Sequence, residues 1–338
     1  MTDALQAGAG ARAQSSAYGL ADLTIQRHED QAPASGPADA PDSVGKPRSL
    51  WGDAWEIMRR RPLFWVAVAL VALFAAMSIA PQMFGAQDPR APGMCLLERA
   101  RQKPGNGVLF GFDDLGCPIY DLVVYGARSS ILVGLCTASL AALVGGFLGT
   151  LAGYLGGWVD AVLSRLADVF FAIPLLLGGI VLMYSIPTTP DSPYPLVVGK
   201  VVVTLAVFGW PSIFRLMRSS VLQVKPNEYV MAARALGGSP LHIVGSHIVP
   251  NSLAPVIVVS TIDLGGYIAT EATLSFLGIG LQPPAVSWGL QISRASSIPL
   301  IRSTPHMLFF PALALCLAVL AFILLGEMVR DALDPKLR

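Results

Sequence analysis

Six stretches of this chain are apolar for about the length a helix needs to cross a bilayer, and no other feature limits the fold as tightly. A hydrocarbon core about 30 Å thick calls for about 20 mostly apolar helical residues. The stretches are 63–84, 130–152, 166–184, 201–214 with an upstream extension over 195–200, 253–277 and 306–326. Pro174 and Pro211 fall in the third and fourth, where neighbouring helices can re-satisfy the freed carbonyls. Lys200 must snorkel to an interface if the fourth is to cross. Only 13% of the 338 residues are charged, and 54% are hydrophobic. The mean hydropathy of +0.60 exceeds what a water-bounded core can absorb. These figures predict an all-α membrane protein with six transmembrane helices.

A net charge of +1 provides no field for nucleic acid or other phosphate-rich partners. Residues 1–50 are rich in Ala, Gln, Ser, Pro and Asp, and cannot bury enough apolar surface to offset their ordering entropy. They are expected to be a disordered cytoplasmic tail. No apolar run begins near Met1, so no cleavable signal peptide is expected. Basic residues lean to the amino-terminal side of the membrane, led by Arg59, Arg60 and Arg61 just before the first span, which predicts both termini cytoplasmic. The chain then divides into an amphipathic lead-in with the first span over 51–84, an extracytoplasmic loop over 85–129, a core over 130–326 and a cytoplasmic end over 327–338. The core carries an inner loop, 215–250, and an outer one, 278–305.

The inner loop contains KPNEYVMAARALGGSPLHIVGSHIVP, residues 225–250. Pro226, Asn227 and Glu228 suit a helix start. Gly237-Gly238 provides a left-handed stop, and Ser239 can cap a second helix whose first residue is Pro240. Ala232 and Ala233 offer a face without bulk, which another protein can approach closely. A rigid two-helix elbow of this kind suits a socket in a partner; a surface-lying amphipathic elbow without a partner is the competing reading.

MAARALG, nine residues and HIVP resemble the EAA loop of ABC importer permeases, with Ala232, Ala233, Gly237 and Pro250 matching its pattern. Met231 replaces the Glu, His247 the Ile and Val249 the Leu, so Glu228, one turn earlier, is the carboxylate offered in its place. GFDDLGCPIYDLVVYGARSSILVGL (111–135), EATLSFLGIGLQPPAVSWG (271–289) and DALDPKLR (331–338) are similar to the dipeptide/oligopeptide/nickel group of these permeases, and to its second, C-type subunit. The resemblance implies a type I ABC importer permease fold in a prokaryotic cell membrane. It also implies a second, B-type permease, two cytoplasmic ATPases that bind ATP and Mg, and an extracytoplasmic substrate-binding protein. The cargo it implies is di- or oligopeptides, with nickel or another small solute as an alternative. Glu228, Ala232, Ala233, Gly237, Gly238 and Pro240 are then the residues expected to couple to the ATPase.

The chain has no GxxxxGK[ST], HExxH or GxSxG, and His28, His242, His247 and His306 are scattered, so it is expected to be non-catalytic, with no cofactor and no metal of its own. Gly145, Gly149, Gly153 and Gly157 recur every fourth residue, which fits tight helix packing or a hinge. Asp263 and Glu271, in or near the fifth span, are candidates either for the translocation path or for buried hydrogen bonding between helices. Cys95 and Cys117 share the first outer loop on the oxidising side and are expected to pair, whereas Cys136 and Cys316 fall inside spans. An ion-gradient-driven secondary transporter is the runner-up, and it calls for paired intramembrane charges and repeated halves. A scaffold without transport would leave the elbow unexplained.

Overall fold

The computed structural model describes residues 50–333 apart from 106 and 190. The expected tail, save Leu50, and the last five residues of the DALDPKLR motif lie outside the described residues. A short helix α1 (Leu50–Arg59) leads into the first span, α2 (Pro62–Ile79). The second, α3 (Ile119–Leu155), begins well ahead of the expected 130, so residues 119–129, read as outer loop, are helical. The reason lies in packing: Ile119, Val123, Val124 and Ala127 are buried in the main core, and Ser129 and Ser130 are buried with them. A hydropathy window lets Asp121, Arg128 and the serines dilute that apolar stripe.

The third stretch is not one straight span. It breaks into α4 (Gly157–Ala172) and α5 (Leu175–Ser185), bent by 90°. Pro174 lacks the N–H of the helical ladder and biases the preceding residue away from the helical region; Ile173 is accordingly extended, at φ −89° and ψ 119°. Pro211, by contrast, stays inside the fourth span, α6 (Tyr194–Val224), which continues past the expected loop boundary at 215. Then come α7 (Glu228–Ala235), the single turn α8 (Pro240–Ile243), a π-helical turn (Val244–Ile248) and α9 (Val249–Phe276). From Pro240 to Phe276 the helical path is continuous over 37 residues, so the second half of the elbow and the fifth span are one element. Helices α10 (Trp288–Ala295) and α11 (Ile298–Ser303) precede the last span, α12 (His306–Leu333). Counting the bent pair once, the described residues hold six helical segments long and apolar enough to cross a membrane.

The bundle is built around α3 and α6, which approach along a glycine seam. A Cβ on Gly145 would stand 2.6 Å from the Trp210 carbonyl, one on Gly149 2.7 Å from the Phe214 carbonyl, and one on Gly153 2.8 Å from Val221. Only hydrogen fits there, and the missing side chains allow backbone-to-backbone contact. Gly157, the fourth member of the series, leaves the seam: it starts α4 at φ +57° with open space around it, making a corner rather than a contact.

At one end of the bundle, residues 85–118 fold into a stapled loop. Cys95 and Cys117 form a disulfide. Their separation of 22 residues makes the loop closure worth about 3 kcal/mol on a chain-entropy account. Asp113 Oδ1 accepts hydrogen bonds from the backbone N–H groups of Leu115 (2.9 Å) and Cys117 (2.7 Å), which turn the chain beside that bond. Burial nevertheless raises the Asp113 pKa above the ordinary carboxylate value. Gly116, at φ +75°, could carry no Cβ, which would fall 1.9 Å from the Leu96 carbonyl. At the opposite end, the elbow end, Arg61 pairs with Asp331 at 2.6 Å, Arg218 forks onto Asp160, and Arg215 meets Asp168 at 2.8 Å. These pairs are partly solvated and contribute modestly, but they join α2 to α12 and α4 to α6.

Candidate functional site

Two places on this scaffold carry functional signals: the elbow, and a cavity at the bend of the third span.

In the elbow, Asn227 occupies the cap position of α7, yet its side chain makes no capping bond. The helix ends at Gly237, φ +82°, whose N–H donates to the Arg234 carbonyl (3.0 Å), while the Gly238 N–H donates to the Ala233 carbonyl (3.0 Å). An L-residue at 237 would be strained, which is the physical reason for glycine there. Ser239 caps α8 by accepting from the His242 N–H (3.3 Å), with Pro240 in the first turn. The inner side of the elbow is locked: Val230, Ile243 and Ile248 are buried against Ile213, Met217 and Val221 of α6 and Val256 of α9. Lys225 Nζ donates to the Tyr154 carbonyl (2.8 Å), tying in the end of α3.

The outer side is open and apolar. Leu236 is 89% exposed and Leu241 87%, with Met231 and Tyr229 beside them in the sequence and also exposed. Ala232 faces outward, but Ala233 packs against the inner cluster, so the smooth face expected from both alanines is presented by Ala232 alone of that pair. Glu228 is exposed at the first turn of α7. Leu236 and Leu241 escaped the sequence reading because a lone leucine near a turn carries no periodicity; two apolar residues bracketing Gly-Gly-Ser-Pro were the available signal.

Asp263 and Glu271, both on α9, part company in the structure. Glu271 is fully buried. Its Oε1 accepts from Ser275 Oγ (2.7 Å), and that hydroxyl in turn accepts from the Leu281 N–H (3.0 Å). The hydroxyls of Ser130 on α3 and Ser287 at the start of α10 stand beside the carboxyl. Next to it Trp288, entirely buried, donates from Nε1 to the Val123 carbonyl (2.9 Å), and Gln291 Nε2 donates to the Leu122 carbonyl (2.7 Å). The outer segment 278–305 thus re-enters the bundle and is pinned there; a Cβ on Gly289 would meet Ala272 Cα at 2.7 Å. Glu271→Gln keeps an acceptor for Ser275 and is expected to hold stability within about 1 kcal/mol, whereas Glu271→Lys forces an unpaired cation into the core and prevents accumulation of folded protein. Melting of detergent-solubilised protein reads this, and equal losses in the two variants would refute the structural role.

Asp263 sits near the middle of α9 and lines a cavity of about 420 Å³ with Phe170, Pro174, Phe208, Ser212 and Tyr267. The cavity lies at the break of the third span, where the end of α4 at Phe170 and the start of α5 at Leu175 meet the faces of α6 and α9. Gly209 on α6 makes room for the Tyr267 hydroxyl, which would lie 2.1 Å from a Cβ there. Asp263 has neither hydrogen bond nor ion pair among the described residues. No group of three or more His, Cys, Asp or Glu able to hold a metal occurs among them either.

A multi-span bundle with a locked elbow at one end and a cavity in its wall fits a membrane subunit of a transporter. The family described as "Binding-protein-dependent transport system inner membrane component" matches residues 145–338, and this chain belongs to it. It is similar to the "Oligopeptide transport system permease protein OppC" of Bacillus subtilis (strain 168), 34% identical over 93% of this chain and 99% of that protein. It is also similar to the "Glutathione transport system permease protein GsiD" of Pectobacterium atrosepticum, 35% identical over 86% of this chain and 93% of that one. The "Dipeptide transport system permease protein DppC" of Bacillus subtilis (strain 168) is 34% identical over 88% and 89% respectively. Among solved structures, a chain of the inward-facing MetNI methionine ABC transporter aligns at 20% identity with a TM-score of 0.49, over 62% of this chain and 96% of that one. The protein is a non-catalytic, multi-pass permease subunit of an ABC importer in the plasma membrane, and works with an ATPase, a substrate-binding protein and a second permease.

Proposed function

We propose that this chain and a B-type permease together form the translocation path for di- and oligopeptides handed over by an extracytoplasmic binding protein. The elbow end faces the cytoplasm, where Arg59, Arg60 and Arg61 gather before the first span, and the stapled loop faces outward. In this reading the elbow docks into one of two ATPases, which bind ATP and Mg, and passes their closure to the spans as a rigid-body movement. The observation that carries it is the two-sided elbow: Val230, Ile243 and Ile248 fixed inside, Leu236 and Leu241 bare outside. The names of the relatives at 34–35% identity support peptides as cargo. The ion-gradient alternative calls for paired charges at depth, whereas Asp263 is unpaired and Glu271 meets only hydroxyls.

The test is reconstitution of the whole importer in liposomes with its binding protein, followed by uptake of radiolabelled alanyl-alanine. Uptake that requires internal ATP and all subunits is expected. Uptake by this chain alone, driven by a proton gradient, would overturn the proposal.

A further inference from the structure

Asp263 is the structure's least explained charge. A carboxylate midway along a membrane helix is costly to keep against lipid and is normally paired or set on a hydrated surface. Here it is unpaired, half-buried and at the wall of an open cavity. Arg215, the cation held over the neighbouring Phe171 ring at 3.9 Å, is already taken by Asp168 at 2.8 Å. The rest of the lining is apolar apart from the hydroxyl-bearing Ser212, Tyr267 and Thr270, and it includes the rings of Phe170 and Phe208. A carboxylate flanked by aromatic rings and hydroxyls is complementary to an alkylammonium: the carboxylate supplies charge, the rings supply cation–π attraction and the hydroxyls accept N–H bonds. A volume of about 420 Å³ admits the end of a small peptide but not a whole folded partner.

We infer that the Asp263 cavity is a cation subsite on the translocation path, which takes the free amino-terminal ammonium of a passing peptide. This rests on the peptide reading above and adds to it a residue and a charge preference. A single carboxylate with no second charge holds an ammonium weakly, as a path requires, because a tight site would trap its cargo. The amino terminus is the group every unmodified peptide shares, so recognition there leaves side chains free to vary.

The test uses the assembled importer carrying Cys136→Ala, Cys316→Ala and Ser212→Cys, with the Cys95–Cys117 bond intact. The rate of thiol modification is compared for a cationic and an anionic methanethiosulfonate of similar size. Adding Asp263→Asn is expected to lower the cationic-to-anionic rate ratio about tenfold, the scale of one nearby charge in a partly hydrated site. Uptake of alanyl-alanine and of alanyl-lysine should slow together; slowing of alanyl-lysine alone would move the contact to the side-chain ammonium and overturn the amino-terminal assignment. An unchanged ratio overturns the subsite while leaving ATP-driven peptide uptake, and hence the proposed function, in place. A lowered ratio in an importer that takes up no peptide overturns the peptide reading and the named occupant with it. Should Asp263→Asn fail to assemble, Asp263→Ser is the second neutral variant. Failure of both, with assembly of Asp263→Glu, would assign the carboxylate to folding and overturn the proposal.

Discussion

Replacing Leu236 and Leu241 together by aspartate is expected to uncouple the importer while leaving the permease folded. At 89% and 87% exposure these side chains contribute almost nothing to the fold, so the melting temperature of the isolated subunit should stay put. In an ATPase socket the same two positions would become buried, unpaired carboxylates, each costing on the order of 2–5 kcal/mol of association. The expected result is loss of the ATPases on purification in mild detergent and at least about a tenfold fall in ATP-driven uptake. A double variant that still co-purifies with ATPase at the native ratio and still transports would remove the elbow from the coupling mechanism. Val230→Asp is the contrasting case, since Val230 is fully buried against α6 and α9 and its loss should reduce folded protein instead.

The second large effect is predicted at the glycine seam. In Gly149→Leu the new Cβ would lie 2.7 Å from the Phe214 carbonyl and 2.8 Å from Met217 Cβ, and the backbone of α6 has no flexible end to move aside. Overpacking costs typically about 1–3 kcal/mol, and a clash with a helix backbone belongs at the upper end or beyond. The seam is therefore expected to open, with a loss of about 3 kcal/mol or more and little folded protein in the membrane. Gly146, three residues earlier, has no atom within 4 Å of its would-be Cβ, so Gly146→Leu should fold normally. Thermal melting of the two variants side by side decides the matter; equal tolerance of leucine at both positions would mean that α3 and α6 do not meet as described.

The spacing of Gly145, Gly149 and Gly153 was enough to announce this seam, because an every-fourth-residue stripe maps directly onto one helix face. The six apolar spans were legible for the same kind of reason, since hydropathy reports the solvent of a segment directly. What hydropathy could not report is how segments join. The run from Pro240 to Phe276 was read as an elbow helix followed by a separate span, because His242, Ser246 and His247 interrupt the apolar pattern without interrupting the backbone hydrogen bonding. The early start of α3 was hidden in the same way by Asp121 and the serines near 130. In the third span, Pro174 was expected to be tolerated within one helix, and instead its missing N–H turns the chain by 90°. Asp263 and Glu271 looked alike in sequence. The structure gives them different surroundings, Glu271 among the serines around Ser275 and Asp263 at the cavity, and no local pattern encodes that division.

The unbroken path from Pro240 to Phe276 has a mechanical corollary. At about 1.5 Å per residue it is a strut of roughly 55 Å, far longer than a hydrocarbon core of about 30 Å. A good part of it must therefore stand clear of the lipid as a handle. Leu241 sits on that handle and Asp263 about two-thirds of the way along the strut, with the wider π turn and Pro255 between them, so a tug on the first is carried to the second through one helix. If the proposed cargo subsite and the proposed docking elbow hold, both ride on one spar, and the stroke would be the same whatever peptide is aboard.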